Sequence, residues 1–361
     1  NPGVFSIGQD SNAVGEVNMI EGRVLNGGGE TRVGAWGTGT LNMQMNARFE
    51  AGDLIVGQDS GSSGTLNLQQ GSTLVVDSLR THASSTSQIN LDSGSTIAIQ
   101  SGTQDLFENF KQGEIDITNG AVLDTSTHDV STASNFGGFS GTGVLSKEGN
   151  GSLTLHGEST HLGTLVDAGS LIVEGEVTGF VTVSAGATVG GSGVTGDMTL
   201  TDAHLAPGSS PGEITVASLS FNGDNTIAFE LGIGAAQSDL ISVLGAIESD
   251  GGEILFNFLD NGWVDDQTYD LINFGSSTID LADYAYSSGD SDFGGTFSQS
   301  GNTLQFTTQF IPEPSSTLLL ALAGGSLLTR RRPLSPRQKT CVPHKRHQPP
   351  LRAGVPLFPK S

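Results

Sequence analysis

The stretch that decides the fold is a short motif, led by glycine, that recurs near the start of the chain. It reads GEV at 15–17, GTLNMQM at 39–45 and GTLNL at 64–68, with the leading glycines 24 and 25 residues apart. A second set of glycines stands ahead of the motif at a similar spacing: Gly8, Gly34 and Gly57. Polar and apolar residues alternate after each leading glycine, and this alternation indicates a β-strand with one buried face. The chain therefore begins with a repeat made of short strands and turns.

A unit of this size cannot bury its own apolar face, whereas stacked copies can, with about 4.8 Å between equivalent strands. The alternation continues in the middle of the chain in shorter units, where Leu155, Val173 and Val189 are 18 and 16 residues apart. The best helical candidate is the short stretch 104–111. The sequence predicts an all-β protein whose strands stack as a parallel β-helix, which is one form of solenoid.

Composition agrees with this class. The chain has 361 residues, of which 52 are glycine, and only 15% are charged. Helical surfaces need Glu, Lys and Arg, so this scarcity argues against a mostly helical protein. The single cysteine, Cys341, lies in the basic C-terminal tail. The rest of the chain can therefore form neither a disulfide bond nor a thiolate metal site.

The net charge of −23 conceals a strong asymmetry. Nine of the fifteen Lys and Arg residues lie at or after Arg330, where the sequence has no Asp or Glu. The first 329 residues hold six basic side chains against 38 acidic ones, a net charge of −32. A body this acidic repels phosphate backbones, so nucleic acid is excluded as its partner. Such acidity fits the solubility of an exported protein.

A resemblance to a known family enters in the middle of the chain. The stretch SGTGVLSKEGNGSLTLHG at 140–157 resembles the autotransporter-associated β-strand repeat, and GTLVDAGSLIV at 163–173 is similar to its second half. The stretch 190–212 resembles the segment that commonly follows it, so the resemblance covers roughly 115–235. The family implies a right-handed parallel β-helix on secreted or surface proteins, and it carries no catalytic residues to transfer.

These patterns divide the body into three predicted regions. Residues 1–99 form β-helix repeats of about 24 residues, and residues 100–235 form the region with autotransporter-associated repeats. Residues 236–310 are more aromatic and more acidic, and they form either a C-terminal β cap on the β-helix or a small β domain. A cap is favoured because the last coil of a solenoid exposes strand edges and apolar interior.

The end of the chain combines a proline motif, an apolar run from Leu318 to Leu328 and a basic cluster. The order of these parts resembles the PEP-CTERM sorting signal of bacterial exported proteins, predicted here for 311–332 with a short hydrophobic helix. The residues that carry the resemblance are Pro312, Glu313, Pro314, Arg330, Arg331 and Arg332. The family implies cleavage near the motif by an exosortase, a membrane enzyme.

The apolar run is shorter than the roughly 20 residues of an ordinary transmembrane helix. We therefore expect 317–329 to anchor the chain in the membrane only transiently, with the arginines retained on the cytoplasmic side. The tail 333–361 departs from the family pattern and is predicted to be disordered and basic. It is either a mis-assigned end or a genuine cytoplasmic extension. At the other end no signal peptide is visible, so Asn1 is either a mature N-terminus or a fragment start.

The sequence offers few metal ligands. No His-x₃-His pair supports zinc, and His156 and His161 are expected to flank a turn in contact with solvent. Four acids of the C-terminal region could give oxygen ligands to Ca²⁺, although solvated loop acids are the favoured interpretation: Asp265, Asp266, Asp290 and Asp292. We predict no cofactor, with Ca²⁺ as the one open alternative.

The main alternative function is cleavage of polysaccharide by a lyase or hydrolase, since such enzymes also use β-helices. Their sites need stacked carboxylates and a basic partner. Asp10 and Asp59 occupy equivalent repeat positions, but Trp36 stands in the intervening coil and only six basic residues serve the body. The sequence therefore favours a non-enzymatic structural or adhesive protein of the bacterial cell envelope, cell surface or extracellular matrix. Its partner would be extracellular polysaccharide, another surface protein or further copies of the chain.

Overall fold

The computed structural model describes residues 3–208, 211–234 and 237–311. Residues Asn1–Ile311 form one compact unit. In the described ranges the regular structure is β-strand, together with a short 3-10 helix at Leu281–Asp283 and no α-helix. The prediction of an all-β body is confirmed.

The strands are short and follow one another closely along the chain. The first fifteen are β1 (Phe5–Ile7), β2 (Val14–Ile20), β3 (Arg23–Leu25), β4 (Thr31–Val33), β5 (Thr38–Gln44), β6 (Arg48–Glu50), β7 (Asp53–Val56), β8 (Ser63–Leu68), β9 (Thr73–Val76), β10 (Ser78–Arg80), β11 (Thr86–Leu91), β12 (Ser95–Ile99), β13 (Thr103–Leu106), β14 (Ile115–Ile117) and β15 (Ala121–Asp124). The middle strands are β16 (Val130–Thr132), β17 (Val144–Glu148), β18 (Ser152–Leu155), β19 (Glu158–Ser159), β20 (Gly163–Val166), β21 (Ser170–Val173), β22 (Glu176–Val177), β23 (Phe180–Val183), β24 (Thr188–Gly191), β25 (Val194–Thr201), β26 (His204–Pro207) and β27 (Glu213–Asn222). The last are β28 (Asn225–Gly232), β29 (Leu240–Val243), β30 (Ala246–Ser249), β31 (Ile254–Asn261), β32 (Thr268–Asn273), β33 (Ser276–Ser277), β34 (Tyr284–Ser288), β35 (Phe293–Ser300) and β36 (Thr303–Phe310).

Each strand of the first half pairs in parallel with the strand three elements further along the chain. One sheet has the order β1-β4-β7-β10, a second has β2-β5-β8-β11-β14, and β3-β6-β9-β12-β15 belong to a third. The register sets Gly15 opposite Gly39, and Gly39 opposite Gly64, so the motif glycines coincide. One circuit of the chain thus adds one strand to each of three parallel sheets. This pairing confirms the predicted repeat and is consistent with a parallel β-helix.

Glycine is required where the chain passes from one sheet to the next. Gly34 has φ +76°, a left-handed conformation that L side chains rarely adopt. A Cβ atom there would lie 2.1 Å from the carbonyl oxygen of Ser63 in the following coil. Gly8 and Gly57 share this conformation, with φ +68° and +75°. The first set of repeat glycines therefore reflects backbone geometry and close stacking.

The middle coils are shorter, and they correct one alignment made from the sequence. Leu155 pairs with Val173 as expected, but Val189 lies opposite Leu171, two residues before Val173. A shift of two residues keeps a side chain on the same face of a strand, so alternation alone could not fix this register.

The parallel stacking passes through residue 235 without a change of sheet. β28, β31 and β34 extend the sheet that begins at β13, and β27 pairs with both β29 and β30. The stack ends differently, because β36 runs antiparallel to both β32 and β35. This hairpin lies in the region for which the sequence predicts a cap or a small β domain.

The helical candidate at 104–111 is wrong. Its first residues belong to β13, and Phe107 and Asn109 have φ +62° and +65°, which no right-handed helix permits. The sheet wins because Leu106, Phe107 and Phe110 are fully buried in the core.

The core runs along the inside of the stack, where inward side chains of successive coils lie on one another. Leu41, Leu66 and Ile89 occupy one such column and are fully buried. Burial of an aliphatic side chain of this size contributes about 1.5–3 kcal/mol. The outward residues between them are polar, and they form the surface described next.

Candidate functional site

A line of asparagines runs across the outer face of the second sheet, one from each of four strands. The Asn42 amide donates to Asn18 Oδ1 at 2.7 Å, Asn67 donates to Asn42 at 2.6 Å, and Asn90 donates to Asn67 at 2.7 Å. We call these four residues the asparagine ladder. Every side-chain bond of the ladder points toward the first coil.

Further polar side chains flank the asparagine ladder at the same registers. Gln44 donates to Gln69 Oε1 at 3.3 Å, and Asn42 also donates to Glu16 Oε1 at 3.0 Å. We call the outward residues of β2, β5, β8 and β11 the polar face; besides the asparagine ladder its main members are Glu16, Thr40, Gln44, Thr65 and Gln88.

The polar face follows from the sequence motif. In GTLN the leucine points inward and the threonine and asparagine point outward, and the parallel register repeats this arrangement in each coil. Mutual amide hydrogen bonds fix the side chains, so hydroxyl and amide groups recur about every 4.8 Å. Such groups donate to and accept from the hydroxyls of a neutral polymer.

The arginines of the first coils are ion-paired. Arg23 and Arg48 both donate to Glu50 Oε1 at 2.6 Å, and these hydrogen bonds hold the pKa of that carboxyl below its usual range. Arg32 pairs with Glu30. Arginines engaged in this way are poorly placed to neutralise charge developing on a substrate.

Lys147 is the most unusual polar residue of the described chain, and the sequence did not single it out. Its side chain is fully buried, and its ammonium donates to the carbonyl oxygens of Gly149, Gly151 and Ala168 at 2.7, 2.5 and 2.9 Å. Burial lowers the pKa of Lys147 to about 8, opposed by the negative charges of Asp124 and a neighbouring aspartate. Its three N–H donors meet three acceptors, so the residue acts as a structural clamp rather than as a free nucleophile.

The expected solvent exposure of His161 is wrong. The ring is buried, its Nε2 lies 2.8 Å from Thr164 Oγ1, and its edge packs against Phe139. Burial lowers the pKa of His161 to about 4, so the ring is neutral at physiological pH. The second histidine of this turn, His156, is half-buried, with Nδ1 2.9 Å from the Thr132 carbonyl oxygen.

The four acids considered for Ca²⁺ fall in separate places. Asp265 and Asp266 line a surface depression of about 400 Å³, whereas Asp290 lines another of about 590 Å³. Asp290 Oδ1 accepts the backbone N–H of Asp292 at 2.9 Å, and Asp265 Oδ1 accepts that of Phe310 at 2.7 Å. Across the described ranges, no three His, Cys, Asp or Glu side chains are grouped so that they could hold a metal ion.

Two other sets of residues singled out in the sequence are quickly placed. Asp10, Trp36 and Asp59 each stand three residues after strand positions that pair with one another, so Trp36 lies in the coil between the two exposed carboxylates. The six sorting-signal residues, the apolar run 317–329 and the tail 333–361 lie outside the described residues. Within the part of the chain that is described, no helix is long and apolar enough to cross a membrane.

Comparison with protein-family models finds no matching family, and comparison with curated proteins finds no match. The function must therefore be argued from the surface and the chemistry of the chain itself.

Proposed function

We propose that this chain is an exported, non-enzymatic structural or adhesive protein of the bacterial cell envelope or extracellular matrix. Its body is a right-handed parallel β-helix closed by a C-terminal cap, and its C-terminus carries a PEP-CTERM signal at 311–332. The observation that supports this function best is the polar face, a flat array of hydrogen-bonded amides and hydroxyls repeated once per coil.

The polar face suits a long partner better than a small one. Its groups lie on a sheet, and the spacing of about 4.8 Å is comparable to one residue of an extended polymer. Its members are mostly neutral, and the body has a net charge of −32, which disfavours polyanions. The partner that fits this chemistry is a neutral, hydroxyl-rich extracellular polysaccharide.

Replacing Thr40, Thr65 and Asn67 together with Ala is expected to weaken binding to neutral glucans and mannans about tenfold or more. Each substitution removes an outward polar group while leaving the buried leucines in place, and a tenfold loss corresponds to about 1.4 kcal/mol. Binding is measured on a polysaccharide array and then by calorimetry with the best ligand.

The matched control replaces Thr182 and Thr199, which are paired, outward threonines on a different sheet. It should bind as the wild type does. Equal binding by all three proteins, or no binding to any neutral polysaccharide, contradicts the proposed role of the polar face. Depolymerisation of a bound polysaccharide would instead favour the alternative of an enzyme.

The sorting signal makes a separate prediction. Replacing Pro312, Glu313 and Pro314 with Ala should leave the protein uncut in the membrane, because the two prolines hold this segment extended, as a protease requires. Replacing the arginine cluster 330–332 with Ser should release or misroute unprocessed protein, since arginine resists translocation. The measurement is cell fractionation with mass mapping of the C-terminus in a host that has an exosortase.

The control for the arginine cluster replaces three basic residues of the tail, Lys339, Lys345 and Arg346, with Ser. This variant should be sorted as the wild type is. An identical location and C-terminus in all four proteins would show that the sorting signal is not used.

A further inference from the structure

The first coil exposes apolar side chains that later coils bury or replace. Five large apolar residues of this coil are exposed, with Val14 83% and Ile20 64% accessible: Val4, Val14, Ile20, Val24 and Leu25. Val24 stands at the register of Phe49, which is fully buried one coil later. The end of the core is therefore open on this side.

The same coil ends three sheets. β1 and β2 are the terminal strands of their sheets, and β3 pairs only with β6. β2 is seven residues long, flat and largely uncharged, and a long free edge of this kind readily pairs with another strand.

The backbone groups that face this edge can be identified. The N–H of Glu21 donates to Gln44 in the neighbouring strand, and the carbonyl of Ala13 accepts from Thr38. Along a strand, successive residues point these groups to opposite sides. Odd-numbered residues of β2 thus face β5, and Val14, Glu16, Asn18 and Ile20 direct their N–H and C=O groups toward the free edge.

We propose that the free edge of β2 pairs antiparallel with the same edge of a second copy of this chain, with Val17 on the two-fold axis. β2 spans 14–20, so it is centred on Val17 and the pairing uses its whole length. Val14 then lies opposite the second copy's Ile20, and Glu16 lies opposite its Asn18. These four residues are the ones whose backbone groups are free, so they form the hydrogen-bonded pairs of an antiparallel ladder.

The side chains are complementary in this register. The two most exposed apolar residues, Val14 and Ile20, cover each other on the outer face. Asn18 accepts from Asn42 and, in the described chain, makes no side-chain hydrogen bond as a donor. Its amide reaches the Glu16 carboxylate across the axis, which is a charge-assisted hydrogen bond. The asparagine ladder therefore continues from one copy into the next.

The arrangement closes on itself. At its other end the stack finishes in the antiparallel hairpin β35–β36, so the two ends of the unit differ and offer no continuation of parallel coils from head to tail. Pairing of two first coils gives a closed two-fold dimer whose polar faces form one surface. The inference does not depend on the proposed binding of polysaccharide.

The test uses the 361-residue chain with Cys341→Ser and Val17→Cys. A residue on the axis of an antiparallel pair in a non-hydrogen-bonded position has its Cα about 4.5 Å from its symmetry mate, within the disulfide range of about 4.4–6.8 Å. Mild oxidation should convert most of this protein to a covalent dimer. The matched control is Leu244→Cys in the same background, since Leu244 is as exposed as Ile20 but distant from the edge.

A second variant, Val14→Lys with Ile20→Lys, places lysines opposite each other twice and should be monomeric by sedimentation, while wild type has twice the monomer mass. Both positions are exposed, so the variant should keep the wild-type circular dichroism spectrum. Val194→Lys with Leu244→Lys is the control and should stay dimeric. A monomeric wild type, a dimer that survives the lysines at Val14 and Ile20, or equal cross-linking of both cysteine variants overturns the proposal. Survival of the dimer would indicate association elsewhere, for example through 317–329.

Discussion

Replacing Lys147 with Met should lower the free energy of unfolding by about 3 kcal/mol. The carbonyl oxygens of Gly149 and Ala168 have Lys147 as their hydrogen-bond donor, and methionine offers none. An unsatisfied buried acceptor costs about 1–3 kcal/mol. The third carbonyl, of Gly151, keeps weaker bonds from Thr125 and Ser170, so it contributes less to the loss.

The effect of Lys147 should also depend on pH in a defined direction. Its pKa falls from an ordinary value of 10.5 to about 8 in the folded protein. Between these values the unfolded chain binds more protons than the folded chain, so raising the pH disfavours unfolding. The stability advantage of wild type over Lys147→Met should therefore increase from about pH 8 to 10.5 and level off outside that window.

Urea unfolding at several pH values measures both effects. Lys111→Met is the matched control, because Lys111 is exposed and lies 3.8 Å from Glu114, an ion pair worth less than about 1 kcal/mol. A loss for Lys147→Met no larger than the loss for Lys111→Met would show that the buried ammonium does not hold this coil.

The clamp at Lys147 illustrates what the sequence contained without its being noticed. In β17, Leu145 and Lys147 both point inward, as the alternation requires, while Ser146 points outward. A lysine at an inward position of a predicted strand is a signal that its charge must be satisfied inside. What the alternation could not supply was the set of acceptors, since the three carbonyls belong to turns whose path depends on tertiary structure.

The polar face was more accessible to prediction. The motif GTLN repeats at the coil spacing, and parallel stacking then places Asn42 beside Asn67 with no further assumption. His161 was harder, because a histidine beside a predicted turn looks exposed in sequence, whereas packing against Phe139 buries it. Val189 was misplaced for a third reason, which is that alternation does not distinguish registers two residues apart.

Replacing Phe306 with Ala should destabilise the C-terminal end of the stack by about 4 kcal/mol. Phe306 is fully buried in β36, with ring centroids 4.6 Å from Phe258, 5.0 Å from Tyr286 and 5.0 Å from Phe297. Truncation of a buried phenylalanine costs about 3–5 kcal/mol, because the cavity cannot close fully. Phe306→Leu keeps most of the volume and should cost less than about 1.5 kcal/mol.

The loss should be local before it is global. β36 bridges β32 and β35, so weakening it exposes the edge of β32 and the aromatic side chains beneath the hairpin. Hydrogen exchange should accelerate in β32, β35 and β36 and stay unchanged in β5 and β8, which pack at the far end. Phe310→Ala is the control, since that side chain is 46% exposed and should leave exchange unaltered. Uniform acceleration through every coil would mean that the hairpin and the stack unfold as one unit, and an unchanged pattern would mean that the hairpin does not cap the stack.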